Sequence, residues 1–486
     1  MKHYYLLALA VFAALLYSCG TVNPDKIETP SVSSQKFDPS KNAIEFDTEF
    51  RAAWVATVAN IDWPTKGASE SQQKSELRTL LRDVKAAGCN AIMLQVVSNA
   101  DAIYPSELLP WSVLLTGKQG QDPGYDPLGF AVEEAHELGL EIHAWVNPLR
   151  IGSVNAERVS DHPMKTNPSW YQTYKNNYYW NPGLPQVREF LGRIVTEIVT
   201  NYDVDGVHID DYFYPSGLKS DSDTWYDTNL YNLYADGRSL DEWRFSNIDE
   251  MIRIYQKVTH EAKPSAVFGV SPAGRIELTA NLYADPRHWV EEGTIDYLTP
   301  QIYWDHNRGD FADFDTVLPQ WLDIHGNIPL MPGLASYKYG TKNTKENFTD
   351  ISEYLYQVNL CRKSGCPGNF WYNTTSIRKS EVKKYLGSSI YPEEVLTPSL
   401  SKTPKELTAP SVLVEGTKIS WSEVQGADNY VVFKLTESSS ASTVWKASIV
   451  KSGTFLSFEG VKGTNYIVLA RSGAARSGYS QPVFLE

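Results

Sequence analysis

The chain has 486 residues, 42% of them apolar and 21% charged, and carries a formal net charge of -14. That length and apolar content can fill a large core and more than one domain. The negative charge excludes nucleic acid and anionic bilayer surfaces as electrostatic partners. Trp (14) and Tyr (29) are abundant; their faces stack on sugars, and they also fill cores.

Residues 1–18 place Lys2 and His3 before an apolar run from Tyr4 to Leu16, then close on Ser18-Cys19-Gly20. This pattern is a secretory signal ending in a lipoprotein cleavage site. It predicts an acylated (palmitoylated) Cys19 that anchors the protein to a membrane without a transmembrane helix. The expected location is the cell envelope, at the outer membrane, on its periplasmic or surface face. Residues 20–45 are rich in Ser, Pro and Thr and read as a flexible tether.

From residue 46 apolar runs alternate with amphipathic stretches. The strand candidates are Arg51–Ala59, Ala91–Val97, Glu141–Val146, Asp205–Asp210, Val267–Ser271, Tyr297–Ile302, Pro329–Leu334 and Gly368–Tyr372. Helices are expected over Ser75–Ala87, Asp126–Leu138, Pro185–Thr200 and Ile248–Ala262, the first two stopped by Gly88 and Gly139. Eight strands with intervening helices predict an α/β fold, a (β/α)8 barrel over 46–391. A doubly wound sheet is the alternative, but it lacks a glycine-rich nucleotide fingerprint.

The fourth run, D-G-V-H-I-D-D-Y-F-Y-P over Asp205–Pro215, organises the rest. Its carboxyl end falls at the mouth of a barrel, which makes Asp210 the first candidate for a catalytic carboxylate. Alternation puts His208 on the same face beneath it and Asp211 on the other. Asn, Asp, His and Trp also gather at the other strand ends, where stability alone does not call for them.

A linker follows over 392–407. Short alternating runs without helical period then predict a β-sandwich over 408–486, with Trp421 on an early strand and Tyr466 placed like a corner tyrosine. It resembles a fibronectin type III module and reads as a spacer or weak binding module. Cys89 reads as a buried apolar residue. Cys361 and Cys366 are spaced for a local disulfide in an oxidising compartment, and no zinc-ligand spacing occurs.

Several long stretches fall in the order of a known family: FRAAWVATVANIDWP, YPSELLPWSVLLTGKQG, YDPLGFAVEEAHELGLEIHAWVNPLR, DGVHIDDYFYP and YADPRHWVEEGTIDYLTPQIYW. Over about Phe46 to Leu386 the chain resembles the glycosyl-hydrolase-like family ten barrel. The resemblance implies an envelope glycoside hydrolase acting on a polysaccharide, and for one member the substrate is peptidoglycan strands stripped of stem peptides. Members commonly read Q-V-R-P where this chain has Gln95-Val96-Val97-Ser98.

Glycosidases use two carboxyl groups flanking the scissile bond. Asp210 is the first, Asp305 the choice for the second, and Asp211 and Asp101 are its rivals. His208, Asp211, Asp101, His143, Asn147, Arg150, Gln301 and Tyr303 are expected to bind substrate, with Asn60, Asp62 and Tyr104 at neighbouring strand ends and Trp63, Trp145 and Trp304 as stacking faces. No metal or other cofactor is required. A glycan-binding lipoprotein without activity, a hydrolase of another extracellular polysaccharide and a metal-dependent deacylase are the alternatives.

Overall fold

The computed structural model describes residues 35–219, 225–438 and 443–486. The signal sequence, Cys19 and residues 20–34 of the expected tether lie outside the described residues. Eight parallel strands form one sheet: β1 (Phe50–Val55), β2 (Ala91–Val97), β3 (Glu141–Val146), β4 (Gly206–Ile209), β5 (Val267–Val270), β6 (Tyr297–Leu298), β7 (Gly333–Leu334) and β8 (Gly368–Trp371). Their spatial order is β6-β5-β4-β3-β2-β1-β8-β7. Isolated bridges Leu298–Leu330 and Gln301–Gly333 join the two ends, so the sheet closes into a barrel.

Each strand is expected from its apolar run, and each is buried because a parallel sheet is covered on both faces. Alternation sorts the side chains. Phe50, Ala52 and Trp54 point inward and pack with Met93, Tyr297 and Phe370. Ala53 and Val55 point outward and pack under the helices with Ile92 and Leu94. Gly206 opens β4 because a Cβ there would stand 2.5 Å from the Nδ1 of His143.

The helices begin earlier than their apolar periodicity. One covers Glu70–Ala86, because the Ser69 side chain accepts the Gln72 N–H and caps it. Another covers Leu240–Ala262, started by a capping box between Ser239 and Glu242. Their polar first turns carry no apolar period, so the sequence pattern begins only where the burial begins.

The chain after the linker forms a sandwich. Strands Asn429–Glu437, Val444–Gly453 and Thr464–Ser472 centre one sheet; Val412–Glu415, Lys418–Trp421 and Ser457–Glu459 form the other. The Tyr466 hydroxyl accepts the Val461 N–H at 3.0 Å, the corner-tyrosine arrangement. The tether expected over 20–45 is corrected in its last part. Ala43–Phe46 is a strand parallel to Val444–Ala447, and Phe37 is buried edge-on against Trp445 at 5.5 Å. Two apolar residues with a strand partner 400 positions away in sequence look like tether when read locally.

The sandwich is bonded to the amino-terminal end of the barrel. Asp205, just before β4, accepts the Ala474 N–H at 2.7 Å and pairs with the Nε2 of His136 at 3.0 Å. Asn429 donates to the Glu137 carbonyl at 2.9 Å. The module is therefore fused to the barrel base rather than spaced from it. Cys361 and Cys366 are buried free thiols, so the disulfide their spacing permits is not formed.

Candidate active site

At the opposite end of β4, a cavity of about 320 Å³ opens among the carboxyl ends of the strands. Every strand contributes to its wall. Trp54 comes from β1, Gln95 from β2, Trp145 from β3 and Ser271 from the end of β5. Asp210, Asp211 and Tyr212 follow β4; Gln301 and Tyr303 follow β6; Tyr337 and Tyr372 follow β7 and β8. Arg150, beyond β3, completes the side next to Asp210.

Asp210 is 4% exposed. Asn147 Nδ2 stands 3.2 Å from each of its carboxylate oxygens. Burial pushes its pKa up, the Asp211 carboxylate pushes it further, and Arg150 pulls it back, leaving it at about 7. The Trp145 indole N–H is near enough to favour the ionised form but makes no hydrogen bond of normal geometry.

Asp211 was expected on the opposite face. The strand ends at Ile209, alternation ends with it, and Asp211 lines the cavity beside Asp210. Burial raises its pKa too, but the Gln301 amide donates to it at 3.1 Å and lowers it. Two adjacent carboxyls cannot both ionise cheaply. Asp211 has the donor and the more open position, and Asp210 is the one of the pair pushed up to about 7. Gln301 is positioned by a close approach: a Cβ on Gly274 would fall 2.0 Å from the Gln301 carbonyl oxygen.

Three buried polar groups on the wall have no hydrogen-bond partner among the described residues. Gln95 accepts the Val58 N–H through Oε1 at 2.9 Å, which fixes its amide and leaves Nε2 free. The Trp145 Nε1 and the Ser271 hydroxyl are likewise unpaired. A buried unpaired polar group costs about 1–3 kcal/mol, so their concentration here fits a polar ligand. The far wall is aromatic: Tyr303 and Tyr372 stack at 5.8 Å, with Tyr337 edge-on to both. Lys338 holds the Tyr303 carbonyl at 2.6 Å while paired with Glu346.

Of the expected site residues, Asp210, Asp211, Trp145, Arg150, Gln301 and Tyr303 meet at the cavity, with Asn147 directly behind Asp210. The others are corrected. Asp305 is 1% exposed and accepts the Asn347 N–H at 2.7 Å through Oδ2; it ties two loops together and does not line the cavity. Trp304 packs against the helix-side core and Gly274. His208 and His143 are fully buried below the cavity floor. His208 accepts the Trp54 indole N–H at 2.9 Å, and both imidazoles meet the Tyr297 hydroxyl at 3.0 and 3.1 Å. Burial, then His143, holds the His208 pKa well down, so it stays neutral and props Trp54 instead of touching substrate.

The remaining five brace loops. Asn60 donates to Pro64 and Leu114 carbonyls, and Asp62 accepts the Ala56 and Thr375 N–H groups. Trp63 donates to the Gln73 carbonyl. Asp101 accepts the Gln119 amide, and Tyr104 meets Glu197. Val97, in the stretch that departs from Q-V-R-P, is buried in the helix-side core. Residues missed by sequence reading are Trp54, Gln95, Tyr212, Ser271, Tyr337 and Tyr372. Gln95 had a signal: a lone amide inside the apolar run AIMLQVV must find partners on both its groups.

A (β/α)8 barrel with two adjacent carboxyls, an aromatic wall and unpaired donors at its mouth places these groups where barrel enzymes carry their active sites. The chain belongs to the glycosyl hydrolase-like 10 family, whose profile matches residues 49–350. It is 38% identical over 381 residues to the glycosyl hydrolase YngK of Bacillus subtilis (strain 168), covering 73% of this chain and 74% of that one. It is 34% identical over 370 residues to the glycosyl hydrolase DigH of Escherichia coli (strain K12), covering 68% and 82%. Among solved structures, the catalytic domain of β-amylase from Paenibacillus polymyxa matches with a TM-score of 0.47 at 13% identity, covering 72% of this chain and 99% of that one. The protein is an enzyme of the glycoside hydrolase class.

Proposed function

We propose that the protein is an envelope-anchored glycosidase that cleaves the glycan strands of peptidoglycan, with Asp210 as the acid that protonates the leaving oxygen. The observation that carries this reading is Asp210 itself. It is a buried carboxyl with a pKa of about 7, set in a cavity lined by unpaired donors and tyrosines. A general acid works best when its pKa lies near the working pH. Asp211, whose ionised form the Gln301 amide favours against burial, stabilises positive charge that develops at the anomeric carbon. Tyr337, 41% exposed at the rim, and Tyr212, 43% exposed with the Arg150 guanidinium 4.1 Å from its ring, offer faces to sugar rings on either side.

The envelope location rests on the signal pattern that ends at Cys19. The polysaccharide class rests on the family, and the choice of peptidoglycan on the resemblance together with that location. The test is digestion of purified strands, with and without stem peptides, by the chain lacking residues 1–19, with reducing ends and fragment masses as the readout. Cleavage confined to a different extracellular polysaccharide would replace the substrate and keep the acid.

A further inference from the structure

Glycosidases that supply both catalytic carboxyls set them on opposite sides of the scissile bond, about 5–9.5 Å apart. This cavity does not have that layout. Its two carboxyls among the described residues, Asp210 and Asp211, are consecutive and both follow β4. The wall across the mouth from β4 is built from β8 and β1 and carries Tyr372 and Trp54. Two other acids lie outside the lining. Asp62 has both oxygens on backbone amides, and Asp305 accepts the Asn347 N–H through Oδ2 and does not line the cavity. No described carboxyl is therefore placed to attack the anomeric carbon from the face opposite the acid.

The unpaired groups indicate what the cavity holds. Trp145 Nε1 and Gln95 Nε2 are donors, buried in side chains 5% and 0% exposed. They suit oxygens of a sugar or an amide carbonyl. Asp211, partly exposed and held from one side by Gln301, is an acceptor for an N–H.

We propose that the nucleophile comes from the substrate: the carbonyl oxygen of a 2-acetamido group on the sugar at the cleaved bond, oriented by Asp211 through its N–H. This rests on the glycosidase reading above. In the first step the Asp210 proton passes to the glycosidic oxygen and the C1–O bond breaks, releasing the leaving sugar as an alcohol. The acetamido oxygen bonds to C1 and forms an oxazolinium ion, whose N–H stays on the Asp211 carboxylate. In the second step water attacks C1 and gives its proton to Asp210. The bond between C1 and the acetamido oxygen breaks, the acetamide is restored, and one water has been added with net retention at C1.

The test uses a stable mimic of the bicyclic intermediate, the thiazoline of N-acetylglucosamine. Its binding to the wild-type chain and to Asp211→Asn is measured by calorimetry, and retention is read by NMR on cleaved strands. The expected result is binding at least 10-fold tighter than N-acetylglucosamine, weakened at least 10-fold in Asp211→Asn, with the β-configured product formed first from β-linked strands. Strands chemically stripped of N-acetyl groups should lose at least 100-fold in cleavage rate. No thiazoline binding, inversion at C1, or equal cleavage of the stripped strands would overturn the inference while leaving the glycosidase reading intact. Thiazoline binding with uncut peptidoglycan strands would support the inference and overturn the choice of strand. Cleavage restricted to polysaccharides without acetamido groups would overturn both.

Discussion

Asn147 touches Asp210 and Arg150 at once: its Nδ2 lies 3.2 Å from both oxygens of the Asp210 carboxyl, and its Oδ1 accepts the Arg150 backbone N–H at 3.1 Å. The second bond fixes which end of the amide faces Asp210. Asn147 is therefore a positioning residue for the proposed acid. An amide N–H favours the ionised carboxylate, so removing it should raise the Asp210 pKa further. Asn147→Ala should lower kcat by about 10–100-fold, the size of one hydrogen bond to a charged group. It should also move the alkaline limb of the kcat profile to higher pH. An unshifted limb would contradict the positioning role.

Asp210→Asn should cost about 10²–10⁴-fold in kcat, the usual contribution of a general acid. It should not cost stability. A carboxyl whose pKa is raised by folding, here to about 7, contributes stability below its unfolded value near 4 and loses it as pH rises to about 7. The amide does not titrate. The Tm of Asp210→Asn relative to wild type should therefore rise between pH 4 and 7 and then level off.

The same shift sets the pH dependence of the reaction. With Asp210 as the proposed acid, activity needs it protonated, so kcat/KM should fall about tenfold per pH unit above about 7. The acid limb should follow ionisation of Asp211, whose pKa burial raises against the Gln301 donor. Gln301→Ala removes that donor and should move the acid limb to higher pH, narrowing the profile.

Asp305→Asn separates the corrected site from the expected one. The side chain is buried on the Asn347 amide and outside the cavity. The variant should keep kcat within about threefold of wild type and lose about 1–3 kcal/mol of stability through the weakened loop contact. A loss of kcat comparable with that of Asp210→Asn, without a change in Tm, would return Asp305 to the chemistry.

The barrel was legible because each parallel strand is an unbroken apolar run, and the place of Asp210 at the cavity was legible because such a run ended in acids. The partner of Asp210 was not. Asp305 and Asp211 both follow strand ends, and only the path of the chain past Ile209 and past Leu298 decides which one faces the cavity. His208 sat on the correct face but one layer too deep: alternation gives direction and says nothing of depth. Tyr337 and Tyr372 belong to loops after β7 and β8 with no polar pattern of their own, and they become a wall only when Tyr303 is brought against them. The amino-terminal strand Ala43–Phe46 depends on Val444–Ala447, a pairing no local pattern carries.

The attachment of the sandwich can be tested by pH. Burial alone would push His136 down, but the Asp205 carboxylate outweighs it and the net shift is upward. A raised histidine contributes stability fully below its unfolded value near 6.5 and loses it as pH rises through the folded value. Wild-type Tm should therefore fall from pH 6 upward by more than that of His136→Ala. At pH 6 the variant should be less stable by roughly 3–5 kcal/mol, the cost of breaking a buried pair.

The most direct measurement is reducing-end release from peptidoglycan strands free of stem peptides, by the chain lacking residues 1–19, run from pH 5 to 9 beside Asp210→Asn. The expected result is cleavage by wild type that falls away above about pH 7, following the Asp210 proton, and a loss of at least 100-fold in the variant between pH 5 and 7 that narrows at higher pH. Cleavage that persists in Asp210→Asn, or a wild-type rate that keeps rising through pH 9, would contradict Asp210 as the acid.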